Sequence, residues 1–312
     1  MNPHAKKIVH EQLYAPDANI LIVDDTSLNL SVVNGLLKGT GVNTDTAGGG
    51  REAVQLAAEK KYDLILMDQR MPEMDGTEAM NAIKDQKGGA NKETPFICLT
   101  ADAVSGARER YLAAGFTDYL TKPVDGVILE KILIKYLPED KVTFTGNESY
   151  SSTDGDSKVI QDEYDTLRRK GIDVGTGLRY CQNDEELYRS LLRDYVTGSK
   201  QKMNDIMRYH GEQNWHDYSI LVHALKSSSA TIGAKDLSDL ALELEHAADE
   251  GRGNDIKARH DEMMELYSET VKAICMIPGM KPGSDAGVDI DADPDGVQYD
   301  DEILEFMPEH SE

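Results

Sequence analysis

Two short apolar runs, each ending in acid, limit what this chain can fold into more than any other feature. Ile20-Leu21-Ile22-Val23 runs into Asp24-Asp25, and Leu64-Ile65-Leu66-Met67 runs into Asp68. Unbroken apolar runs of this length read as strands buried on both faces, as in a parallel sheet covered by helices. Open sheets of that kind place their chemistry at the carboxyl ends of the strands. With the two strands parallel and adjacent, Asp24, Asp25 and Asp68 converge on one small pocket. Three close carboxylates repel one another, so the cluster calls for a cation. All-oxygen ligands favour a hard one, Mg²⁺ above all.

Two further strand signals follow, Phe96-Ile97-Cys98-Leu99-Thr100 and Asp118-Tyr119-Leu120-Thr121-Lys122-Pro123, ending on a hydroxyl and an ammonium. Helical patterns alternate with these strands, predicted over 28–37, 51–58, 77–86, 106–113 and 127–137, with a further strand over 42–47. Short connections throughout favour a compact, doubly wound five-stranded parallel sheet over a barrel. The acids, Thr100 and Lys122, in this order and spacing, resemble the receiver domain of two-component response regulators over Ala18 to Leu137.

The resemblance implies that Asp68 takes a phosphoryl group as an acyl phosphate. Asp25 would bind Mg²⁺ directly and Asp24 through water, with Asp68 and the backbone carbonyl of Arg70 completing the protein ligands. Lys122 would meet a phosphoryl oxygen as a point charge, Thr100 would donate to another, and Tyr119 would swing inward as Thr100 moves. Taken singly these residues have plainer readings. Asp25 or Thr26 can cap the helix that starts near Leu28, and Lys122 can be an ordinary turn lysine. Arg70 and Asp102 are expected either to tune dephosphorylation or to pair with each other at the surface.

In the second half, 214–234 reads as one helix. Leu221, Leu225, Ser228 and Ile232 make its core stripe, while His223, Lys226, Ser227 and Ala230 fall on another face. An exposed imidazole with an ammonium one turn on, among small residues, suits a phosphoryl acceptor. His223-x-x-Lys226, followed by Ile232-Gly233-Ala234 and then Leu237, Leu240, Leu244 and Glu245, is similar to a histidine phosphotransfer (HPt) domain. Gly171-Ile172-Asp173 and Asp184-Glu185-Glu186-Leu187-Tyr188 upstream also suit that family. The resemblance covers Val159 to Met276 and implies a helical bundle with His223 as phosphoacceptor and Lys226 offsetting its charge. One departure stands out, because the family has Gly where this chain has Ser227. His210, His216, His246 and His260 lack a Lys three residues on and read as ordinary surface histidines.

The expected organisation is an N-terminal junction over 1–17, the receiver over 18–138, a flexible linker over 139–158, the HPt bundle over 159–276 and an acidic, disordered tail over 277–312. The net charge is −24, and eleven acids with no Lys or Arg lie between Asp285 and Glu312. Such acidity argues against nucleic acid or a membrane surface as partner. Asp291, Asp293, Asp295 and Glu302 fit the spacing of a calcium loop, against which stand Pro294 inside it and no leading helix. Three scattered cysteines and no apolar run of membrane-spanning length point to the cytoplasm. The expected partners are a histidine kinase and a downstream response-regulator receiver. The segment Leu13 to Ala18 resembles the junction between kinase core and receiver in hybrid kinases, so the chain reads as the C-terminal part of one, or as a kinase-less relay protein. The rival reading is a phosphorylation-gated interaction module whose HPt bundle only docks partners.

Overall fold

A computed structural model describes residues 10–101, 107–147 and 164–280. Its α/β half holds β2 (Asn19–Val23), α1 (Ser27–Leu37), β3 (Asn43–Ala47), α2 (Gly50–Glu59), β4 (Leu64–Asp68) and α3 (Gly76–Lys84). It continues with β5 (Phe96–Thr100), α4 (Ala107–Ala113), β6 (Asp118–Thr121) and α5 (Gly126–Tyr136). The sheet order is β3-β2-β4-β5-β6, every neighbour parallel. Successive side chains of a strand point to opposite faces, which explains the unbroken apolar runs. Ile20, Ile22, Leu64, Leu66, Ile97 and Leu99 join the core on one face. Leu21, Val23, Ile65, Met67, Phe96 and Cys98 join that on the other. The strand order reverses direction at β2, so the carboxyl ends of β2 and β4 lie side by side at the crevice where open sheets bind ligands.

One expectation is corrected here. The stretch read as a flexible linker contains β7 (Thr143–Asn147), which pairs antiparallel with β1 (His10–Tyr14). The polar composition that suggested coil is also that of a two-stranded ribbon, whose partner strand lies some 130 positions away and is invisible to local pattern.

The helical half comprises α6 (Asp165–Arg169), α7 (Val174–Tyr180), α8 (Glu185–Thr197), α9 (Ser199–Gly211), α10 (Trp215–Ile232), α11 (Lys235–Asp249) and α12 (Gly253–Cys275). Asp173, Asp184 and Asn214 cap α7, α8 and α10, each side-chain oxygen accepting from a backbone N–H one turn on. Gly233 ends α10 in the left-handed region at φ 89°. A Cβ there would stand 2.2 Å from the Asp173 carbonyl oxygen, and the Asp173 N–H donates to the Gly233 carbonyl at 2.9 Å. The two motifs Gly171-Ile172-Asp173 and Ile232-Gly233-Ala234 are thus two sides of one close backbone contact.

The two halves share a core. Leu28, Val32 and Leu36 of α1 and Leu191, Leu192 and Val196 of α8 belong to the same buried cluster. Ser31 donates to Asp194 across the seam at 3.0 Å. A Cβ on Gly35 would lie 2.5 Å from a methyl of Leu187, so glycine lets α1 and α8 approach this closely. Among the described residues no helix is long and apolar enough to cross a membrane.

Candidate functional site

Strand β4 delivers Asp68 to the crevice, and the turn after β2 delivers Asp24 and Asp25. One carboxylate oxygen from each lies within 4.8 Å of the others. Asp24 and Asp68 are each 1% exposed, whereas Asp25 is only partly buried. The turn is held from within: Asp24 Oδ1 accepts from the Thr26 N–H at 3.0 Å and from Asn29 Nδ2 at 2.9 Å. Thr26 takes the N-cap position of α1, yet its side chain makes no capping bond. Its hydroxyl donates to Asp25 instead.

Beyond Asp68 the chain turns through Gln69–Asp75 to α3, whose start is fixed by a reciprocal capping box between Asp75 and Glu78. Gly76 is required there, since a Cβ would fall 2.2 Å from the Asp68 carbonyl oxygen. Lys122 follows β6 with its N–H bonded to the Thr100 carbonyl, and its ammonium sits 2.6 Å from Asp24 Oδ2 and 2.8 Å from Asp68 Oδ1. Its side chain is 4% exposed.

The electrostatics follow from this packing. Burial above all, with Asp24 and Asp25 adding and Lys122 opposing, pushes Asp68 up to about 8. Burial and then Asp24 push Asp25 up to about 6. Lys122 is held above the ordinary lysine value because its two carboxylates outweigh burial. Metal-free, Asp68 therefore retains its proton at neutral pH, and the all-oxygen set fits a divalent hard cation.

Thr100 ends β5, 3% exposed. Its hydroxyl is 2.7 Å from that of Tyr111 on α4, a residue that sequence pattern gave no reason to single out. Tyr119 lies alongside Tyr111, ring centres 6.3 Å apart and planes tilted by 31°. Asp102 lies outside the described residues. The Arg70 guanidinium reaches across to the helical half, Nη1 to Glu245 at 2.7 Å and Nη2 to Asp249 at 2.7 Å.

That contact leads directly to His223, and here the expectation of an exposed imidazole is corrected. His223 is 7% exposed, Lys226 8% and Ser227 3%. α10 packs against α11 and against α7, α8 and α9, and Thr231 near its end joins the α/β half at the seam, so few of its residues reach solvent. The deepest stripe is Tyr218, Val222, Leu225, Ser229 and Ile232, each 0% exposed. Of the stripe read from the sequence only Leu225, Ser228 and Ile232 are buried, and Leu221 is partly exposed.

Glu245 on α11 organises the imidazole. Its Oε1 accepts from His223 Nδ1 at 2.7 Å and its Oε2 from Lys226 Nζ. A carboxylate only accepts, so Nδ1 carries the proton and Nε2 holds a lone pair. Nε2 is buried and has no hydrogen-bond partner, and the same holds for Ser227 Oγ. Burial first, then Lys226 and Lys122, keeps His223 below the usual imidazole range despite Glu245. Burial opposes the charge of Glu245, yet His223 and Lys226 hold its carboxyl down at about 2.

The two sites face each other. Lys122, bonded to Asp68, is an electrostatic neighbour of His223. A narrow cavity at the seam is lined by Asp24, Asn29, Leu99 and Lys122 from one half and by Thr231 of α10 from the other. Lys202 on α9, also from the helical half, stands close enough to Asp24 and Asp25 for their charges to act on it.

His216 and His246 are exposed as expected. His260 is not a surface residue: it is 3% exposed, stacks on His210 at 3.7 Å and meets the Tyr218 hydroxyl at 3.1 Å. The calcium-loop residues Asp291, Asp293, Asp295 and Glu302 lie outside the described residues.

Residues 20–134 match the response regulator receiver domain, and residues 190–273 match the Hpt domain. The chain thus carries a receiver followed by a histidine phosphotransfer domain, the parts of a two-component phosphorelay. Among known proteins it is similar to the signal transduction histidine-protein kinase BarA of Shigella flexneri and of Escherichia coli. Each is 28% identical over 254 residues, which is 80% of this chain and 26% of the relative. The sensor protein GacS of Pseudomonas syringae is 36% identical over 118 residues, 38% of this chain and 13% of that protein. The chain spans about a quarter of the length of the BarA relatives. A crystal structure of a sensor kinase receiver domain from Pseudomonas aeruginosa, with magnesium in its active site cleft, is 38% identical. It covers 38% of this chain and 96% of its own, with a TM-score of 0.35. The Saccharomyces cerevisiae complex of the phosphotransfer protein Ypd1 with the receiver of Ssk1 is 28% identical. It covers 41% of this chain and 93% of its own, with a TM-score of 0.37.

Proposed function

We propose that this chain passes a phosphoryl group between Asp68 and His223, within a relay that runs from a histidine kinase to a separate response regulator. The observation that carries the reading is the unpartnered, buried Nε2 of His223, on a ring held by Glu245, which Arg70 beside Asp68 also contacts, and within electrostatic reach of Lys122. Residues 18–138 act as the receiving module and 159–276 as the transferring one.

In the forward step the Nε2 lone pair attacks phosphorus, the bond to the Asp68 oxygen breaks, and the carboxylate leaves with the bonding pair. The ring gains positive charge as it gains phosphorus, and Glu245, already bonded to Nδ1, balances it. Lys226, bonded to the same carboxylate, meets the phosphoryl charge on the histidine side. Lys122 meets it on the aspartate side as a point charge. Thr100 donates to a phosphoryl oxygen and Tyr119 follows its movement, with Tyr111 as the present partner of that hydroxyl. Phosphoryl transfer needs alignment and charge neutralisation more than covalent help, and both are supplied before the reaction begins. Asp24, Asp25, Asp68 and the Arg70 carbonyl would hold Mg²⁺, which supplies neutralisation of phosphoryl charge. The reverse step uses the same residues.

A labelled small-molecule phosphodonor with Mg²⁺ tests this. Acyl phosphates are lost in base and phosphohistidine in acid, so the linkage identifies itself. Wild type should accumulate base-stable label, and both Asp68→Asn and His223→Gln should abolish it. Base-stable label surviving in Asp68→Asn would remove the aspartate from the route.

A further inference from the structure

Arg70 lies two residues beyond Asp68, on a turn whose start is pinned by Asp68 and whose end is pinned by Gly76. Any partner helix onto which Asp68 is lowered must therefore meet its side chain. In this chain it meets two acids one turn apart on α11, Glu245 and Asp249, each at 2.7 Å and each through a different nitrogen of the guanidinium. Glu245 is 5% exposed, and its Oε1 is the atom that also accepts from His223 Nδ1. One carboxylate is thus shared by the arginine of one module and by the imidazole and ammonium of the other.

We propose that Arg70 is a specificity and positioning residue, clasping Glu245 and Asp249 so that this chain's own receiver is the one seated on its own His223. The proposal rests on the relay reading for its purpose, although the clasp itself is a docking contact and can be measured without any chemistry.

The fork of the guanidinium matters more than its charge. Two nitrogens held in one plane span the Glu245–Asp249 pair, whereas an ammonium offers a single point and leaves one acid unmatched. A receiver lacking an arginine here brings no donor to the second lone pair on the buried Glu245 Oε1, while Asp249, side chain 36% exposed, is left to water. Leaving the buried carboxylate one donor short disfavours the wrong partner as the clasp favours the right one. Positioning follows from the same geometry. Arg70 fixes the carboxylate that fixes the imidazole, so seating the receiver and aiming Nε2 are one event.

The test uses the full chain in the unphosphorylated state and then in transfer. Hydrogen exchange over α1 and α10 reports docking. Appearance of base-stable label, normalised to label on Asp68, reports aim. Arg70→Ala should speed exchange and slow normalised transfer by about tenfold, the order expected for a partly buried charged pair across an interface. Asp249→Ala should do the same to a smaller degree, and the double variant should match Arg70→Ala alone, because both remove one clasp. Arg70→Lys should not rescue. Unchanged exchange in Arg70→Ala, strictly additive losses in the double variant, or full rescue by lysine would each overturn the proposal. Wild type without any base-stable label would overturn the relay, while the exchange arm still judges the clasp.

Discussion

At the scale of single residues, the site is defined by what each buried polar atom lacks. Ser227 is 3% exposed and its hydroxyl has no partner. Replacing it by alanine removes an unsatisfied group and improves helix propensity, so Ser227→Ala should stabilise the protein by about 1 kcal/mol in denaturant melts. A carboxyl whose pKa is raised by folding holds its proton longer when folded than when unfolded. Asp25 at about 6 and Asp68 at about 8 are both above the ordinary 3.8. The metal-free protein should therefore lose stability as pH rises through that window. A divalent cation takes the place of the protons, so Mg²⁺ should raise the thermal midpoint more above about pH 8 than below about pH 6. Equal shifts at both ends would mean that the cluster does not bind Mg²⁺ as a deprotonated set.

Among the elements, α9, α10 and α12 are joined by an aromatic cluster of half-buried His210 with buried Tyr218 and His260. Burial first, then His210, depresses His260 to about 4. The folded state refuses a proton that the unfolded chain accepts near 6.5, so this stability is full above that value and is lost as pH falls toward 4. The contribution lost should reach about 3 kcal/mol, and His260→Gln should remove it, so that the variant's thermal midpoint gains on wild type as pH falls across that range. How far each element could be read from sequence depended on who covers it. Strands β2, β4 and β5 were legible because a strand buried on both faces must be apolar throughout. The motif residues Asp24, Asp25, Asp68, Thr100 and Lys122 were legible because strand ends fix their place. α10 was legible as a helix but not in its burial. Its covered faces carry His, Lys and three successive serines, and such residues read as solvated unless the covering partner is known. Tyr111 and the contacts of Glu245 and Arg70 needed the third dimension, since Tyr111 meets Thr100 eleven positions away and the others run between helices or across the seam.

For the molecule as a whole, the seam between α1 and α8 is where the α/β half seats on the helical half that carries His223. Gly35 faces Leu187 so closely that a long side chain there must push the helices apart. Gly35→Gln should expose His223 and raise its carbethoxylation, followed by mass spectrometry of its peptide, by roughly tenfold, as expected when a small local opening exposes a covered group. An unchanged rate would show that α1 does not guard the imidazole. The guarded imidazole has a kinetic consequence. If the proposed relay holds, an outside regulator reaches the buried Nε2 only once the two modules part, so every phosphoryl group sent onward waits for one parting. Onward flux should then climb with regulator concentration only to a ceiling, and that ceiling is a property of this chain, the same for every regulator it serves.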